Sequence, residues 1–141
     1  MNKNFYKNLI QNSPIGYIYF KKISYDEELF YDFEFIDMNQ SFEVFVETSK
    51  EEIINNRYNN VVKSNVEKDL INIFDKIKTD KKEFEYYSKK LNSWFKVLVY
   101  NEDREYSYLN IIDISEKKKK EKKLKKSEEK YKIILETSRE I

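Results

Sequence analysis

The chain has no histidine and no cysteine, one glycine (Gly16) and one proline (Pro14). Without histidine or cysteine there is no Ser-His-Asp or Cys-His nucleophilic centre, no common zinc site and no histidine-ligated haem. A single glycine cannot build a phosphate-cradling loop, where the backbone must approach the anion at several positions. No disulfide frame exists, so a cytoplasmic setting is the default. There is neither a leading apolar segment nor a run of about 18 apolar residues, so no membrane contact by this segment is indicated. Charge is also missing in net terms: 27 Lys and Arg against 26 Asp and Glu leave +1. That balance argues against a domain built for nucleic acid. The carboxylates are expected to coat the surface; an enzyme would need two of them meeting in one cleft.

What is present suffices for one core. The 141 residues are 40% hydrophobic, enough for one domain and an appendage. Phe5, Tyr6, Leu9 and Ile10 mark a helical stripe over Asn2–Asn12, stopped by Ser13-Pro14. "IGYIYFKKI" reads as a strand. "ELFYDFEFIDMN" reads as a second, with Phe33 and Phe35 on one face and Ile36 and Met38 on the other. Asp26-Glu27-Glu28 would connect them. Phe42, Phe45 and Val46 share one face of a short helix, and Ser49 with Glu52 fits a capping box for the next. Val66, Leu70, Ile73, Phe74 and Ile77 form a longer helical stripe, with Ser64 as its cap.

"KEFEYYSKKL", "SWFKVLVY" and "EYSYLNIIDI" follow as three strands, joined by polar turns at Leu91-Asn92-Ser93 and Asn101–Arg104. The last is apolar on both faces and belongs in the middle of a sheet. The expected fold class is α+β: a five-stranded antiparallel sheet with short helices on one face, flanked by an N-terminal helix and a long C-terminal helix.

This order, with "MNQSFEVF" and "SKEEII" after the second strand and "IIDISEKKKKEKKLKKSEEKY" at the end, resembles the PAS family of signalling domains. The likeness covers nearly the whole chain. Asn39 matches the asparagine that opens the family's first short helix. Asp113-Ile114-Ser115 matches the Asp-Ile-Thr type junction into the exit helix. Glu47 and Asn55 depart from the pattern, standing where relatives often carry glycine. The resemblance implies a sensory domain over residues 1–115 and a helical linker over 116–141, or the start of a second module. "FYKNLIQNS" at Phe5–Ser13 and "KYKIILETS" at Lys130–Ser138 fit that repetition, sharing Tyr, Lys and Ser at equal offsets.

The linker is unusual for its charge. Glu116–Lys130 holds nine lysines and four glutamates. Favourable pairs (Glu116–Lys120, Glu121–Lys125) and repulsive ones nearly cancel at about 0.2–0.5 kcal/mol each. An isolated helix of this length is marginal in water. A partner copy would support it: with Ile114 at a heptad a position, Leu124, Tyr131 and Leu135 fall at d, d and a. Such half-filled heptads make a weak, adjustable junction. A lysine run without arginine or interleaved aromatics offers nucleic acid little beyond phosphate attraction.

In PAS domains the inner sheet face and the helices opposite enclose a small cavity. Alternation nominates Phe33, Phe35, Phe84, Tyr86, Phe95, Val97, Val99, Leu109 and Ile111 from the strands, and Phe42, Tyr58, Leu70 and Phe74 from the helices. These residues line a pocket or simply fill the core. No cofactor is identified. The missing cysteine excludes thiol-adduct flavin and thioester-linked chromophores; a noncovalent small ligand stays open. The outer face (Trp94, Leu98, Tyr100, Tyr108, Ile112) should be covered by the N-terminal helix, through Phe5 and Leu9, or by a second subunit.

The resemblance thus implies a regulatory module and no enzyme. It would sense a small ligand or mediate dimerisation, and signal through Asn39 and Asp113-Ile114-Ser115 to an output domain in the same chain. Histidine kinases and cyclic-diguanylate enzymes are the family's common outputs. A ligand-free dimerisation module is the alternative.

Overall fold

A computed structural model describes residues 3–24, 31–58, 68–79 and 81–139. The order is α1 (Lys3–Gln11), β1 (Gly16–Ser24), β2 (Tyr31–Met38), α2 (Gln40–Val46), α3 (Lys50–Ile53), α4 (Lys68–Lys78), β3 (Glu83–Ser88), β4 (Ser93–Asn101), β5 (Tyr106–Asp113) and α5 (Ser115–Arg139). The five strands form one antiparallel sheet in the order β2-β1-β5-β4-β3. The fold is the expected α+β arrangement. β5, apolar on both faces, is its middle strand. The connection over Asp26-Glu27-Glu28, and Ser64 and Val66, lie outside the described residues.

Strand period decides which side chains meet the helices. Ile18 and Phe20 of β1, Leu109 and Ile111 of β5, and Phe95, Val97 and Val99 of β4 all turn inward and are buried. Phe42, Phe45 and Val46 of α2, Ile53 of α3, and Leu70, Ile73, Phe74 and Ile77 of α4 pack against them. The centre is aromatic. The Phe74 ring lies 5.0 Å from Phe20, 5.1 Å from Phe33 and Phe35, and 5.9 Å from Tyr58, centroid to centroid. Three of these contacts are edge-to-face, which suits the ring quadrupoles.

Four expectations are corrected. Met38 is on the inner face with Phe33 and Phe35, not opposite them, because the β1–β2 register slips between Tyr19 and Phe20. Ile18 pairs with Met38 and Phe20 with Phe35, so a bulge inserts one β2 residue and reverses the alternation beyond it. Ser49 precedes α3, but its side chain makes no capping bond; only its carbonyl accepts, from the Glu52 N–H at 3.1 Å. Of the two covers expected for the outer sheet face, α1 or a second subunit, α1 is not the one: Phe5, Tyr6, Leu9 and Ile10 are all exposed, and so are Trp94 and Tyr100. In α5, Glu116 pairs with Lys119 in place of Lys120, and Glu121 pairs back to Lys117 in place of forward to Lys125.

Glu47 and Asn55, where glycine was anticipated, do adopt left-handed backbone, with φ of 53° and 66°. The turns therefore keep the shape that glycine would favour. Glu47 carries the steric cost of its Cβ, whereas asparagine tolerates this region better.

Candidate functional site

The thirteen nominated cavity residues converge. Twelve are buried in the central cluster and Phe84 packs against its edge, half-buried. They meet as an interlocked core: Phe45 lies 4.8 Å from Phe95, and Phe33 lies 5.8 Å from Tyr58. Tyr58 places its ring in the core and its hydroxyl at the rim, donating to Asp75 at 2.6 Å. Burial, and then that bond, push its phenol pKa upward.

One polar cluster in this core was not anticipated. Asp69 of α4 is buried, with one oxygen accepting from Tyr86 Oη and the other from Ser88 Oγ at 2.8 Å. Asn72 donates to Tyr86 Oη at 3.2 Å, and Ser88 Oγ accepts from the Leu91 N–H at 3.2 Å. The cluster ties α4 to β3 and to the turn after it. In sequence Asp69 looks like any surface carboxylate; only the facing hydroxyls, 17 and 19 residues away, mark it.

Asn39 is a junction of four hydrogen bonds that join three chain segments. It is buried, and all four hydrogen-bonding sites of its side chain are used. Its Oδ1 accepts from the Phe42 N–H (3.1 Å), capping α2, and from the Tyr17 N–H (2.9 Å). Its Nδ2 donates to the carbonyls of Ile10 (2.9 Å) and Ile15 (2.8 Å). The side chain thereby locks the end of α1 and the start of β1 to α2.

Asp113, Ile114 and Ser115 form the second junction. The Asp113 carboxylate accepts from the Ser115 N–H at 2.9 Å, a local turn that starts α5. Trp94 then receives the helix through both its backbone groups. Its N–H donates to Ser115 Oγ at 3.0 Å, and its carbonyl accepts from the Ile114 N–H at 2.9 Å. The β4–β5 pairing is thus carried one step into the helix. Lys118, one turn on, pairs with Glu85 of β3 at 2.5 Å and sits 5.0 Å above the Trp94 ring. Neither contact was legible beforehand, since Lys118 is one of many similar lysines.

Beyond this clamp α5 is bare. Leu124, Tyr131 and Leu135 are all more than half exposed, as are Ile133 and Ile134. Phe5 and Leu9 of α1 form a second uncovered apolar stripe. Among the described residues no group of three or more acidic side chains is placed to hold a metal ion, and no helix is long and apolar enough to cross a membrane.

The sequence matches no protein-family model and no curated protein.

Proposed function

We propose that the chain is a PAS-type regulatory module that passes a conformational bias from its sheet to a following output domain through α5. What supports this most is the junction at Trp94. The first turn of a 25-residue helix is hydrogen-bonded, ion-paired and ring-stacked onto β3 and β4, while Leu124, Tyr131 and Leu135 farther along it are more than half exposed. A displacement of β4 or β5 must therefore tilt or rotate the rod, and a rod with exposed Leu124, Tyr131 and Leu135 pairs with a second copy. Homodimers working in the cytoplasm, with a histidine kinase or a cyclic-diguanylate enzyme as output, follow from the family resemblance. The module itself is taken to catalyse nothing.

Ser115→Pro tests the relay. Ser115 opens the helix, where proline is tolerated, but the substitution removes both the N–H that donates to Asp113 and the hydroxyl oxygen that accepts from the Trp94 N–H. The variant should fold and dimerise like the wild type, yet lose regulation of an output enzyme fused after α5. Unchanged regulation would overturn the proposal.

A ligand-free spacing and dimerisation module is the second reading. It is favoured by the ring-filled centre around Phe74. Native mass spectrometry of the freshly purified chain separates the two, because it reports subunit number and any co-purified small molecule together.

A further inference from the structure

A groove of about 510 Å³ opens between the end of α1, the start of α2 and the neighbouring ends of β4 and β5. Its volume is in the range of small-molecule sites, about 300–1,000 Å³. Val44, Phe45, Leu91, Phe95 and Ile111 supply its apolar lining, of which Phe45, Phe95 and Ile111 are buried. It is separate from the packed rings around Phe74 and lies between the two junctions, Asn39 and Asp113.

Its charge is one-sided. The chain carries 27 lysines and arginines, yet among the described residues none lines this groove. Among the described residues Asp113 is the one charged residue in the lining. One of its oxygens accepts from the Ser115 N–H, and among the described residues no lysine or arginine pairs with it. The side-chain amides of Gln11, Asn12 and Gln40 add carbonyl acceptors at the rim, and none of them is hydrogen-bonded among the described residues. An anion entering would meet a carboxylate with no compensating cation, which Coulomb repulsion disfavours. A protonated amine would gain a charge-assisted bond while its apolar body covers Phe45 and Phe95.

We propose that this groove binds a small organic cation, an ammonium group carried on an apolar body about the size of one aromatic ring. The site does not depend on the relay. That its occupancy is felt by α5, through the Asp113–Ser115 bond, does rest on the reading given above.

The test is a titration of the ¹⁵N-labelled chain with protonated phenethylamine and, in parallel, with phenylacetate, followed by amide chemical shifts. The amine should shift the signals of Gly16, Ser41 and Phe95 saturably, and phenylacetate should bind at least about tenfold more weakly. Asp113→Asn keeps an oxygen for the Ser115 N–H and should weaken amine binding about tenfold. Val44→Trp, at an exposed α2 position, should block the groove without unfolding the domain. No saturable shift at these amides, equal binding of the acid, or undiminished affinity in Asp113→Asn overturns the site. Groove shifts unaccompanied by shifts at Lys117–Lys119 uphold the site and count against its coupling to α5.

Discussion

The ammonium of Lys118 lies 5.0 Å from the centre of the Trp94 ring while pairing with Glu85, so one side chain of the exit helix holds two neighbouring strands at once. Lys118 is the one lysine of the rod's first turns that is half-buried; Lys117, Lys119 and Lys120 are exposed. Its partners decide where the rod leaves the sheet.

Lys118→Met should therefore loosen the first turn of α5 while leaving the core intact. Both interactions are partly exposed, so together they are worth about 0.5–1 kcal/mol. Amide hydrogen exchange at residues 117–119 should accelerate about two- to five-fold. Exchange in β5 should not change. Equal protection of the first turn in the variant would show that Lys118 contributes nothing to the clamp.

Asn39→Ala should cost about 1–3 kcal/mol, because it removes a helix cap and leaves partly buried backbone groups of Tyr17, Ile10 and Ile15 without their partner. Asn39→Ser retains an oxygen to cap α2 but no amide to reach Ile10 and Ile15, and should fall between wild type and alanine. Urea unfolding of the three proteins measures this. A loss below about 1 kcal/mol in Asn39→Ala would mean that the junction is not a stabilising unit.

Stability should fall in alkali for a specific reason. Burial, reinforced by Asp37 and Glu102, pushes the Tyr17 phenol up to about 12. The hydrogen bond to Glu102 at 2.7 Å chiefly drives Tyr19 to about 12. Both folded values lie above the unfolded value of about 10. The native state then holds protons that the unfolded state releases, so this stabilisation is complete below about pH 10 and is lost as pH rises towards about 12. Urea unfolding should give a flat profile below about pH 9.5 and a decline above it. Tyr17→Phe should decline less steeply; an identical slope would remove Tyr17 from the account.

Glu47→Gly should stabilise the domain. Glu47 ends α2 in left-handed backbone, where a Cβ costs roughly 1–2 kcal/mol. Glycine escapes that cost but loses more entropy on folding, and the exposed Lys90–Glu47 pair contributes little. A rise in melting temperature of a few degrees is expected. A fall would indicate that the ion pair or the Glu47 side chain matters more than the backbone geometry.

The elements themselves were legible because their causes are local. A period of two in "SWFKVLVY" and a helical period through Leu70, Ile73, Phe74 and Ile77 follow from backbone geometry and need no partner to be recognised. The two-sided apolar character of "YSYLNIID" placed β5 in the middle of the sheet, and alternation, together with the inner face that the family resemblance implies, picked out the strand residues that converge. The family resemblance marked Asn39 as the residue that opens a short helix, but its capping bond and its links to α1 and β1 were not legible.

Contacts between distant segments were decided by the tertiary structure. The β1–β2 bulge turned Met38 inward, and pairing of α4 with β3 turned Asp69 from a surface carboxylate into a buried acceptor. Strand order brought Lys118 to Trp94 and Glu85, and left α1 away from the sheet face that it or a second subunit was expected to cover. Short-range periodicity is written in neighbouring residues and survives any arrangement of the chain. Register, strand order and the partner of each charge depend on how segments tens of residues apart are brought together, and many lysines and carboxylates compete for the same few places.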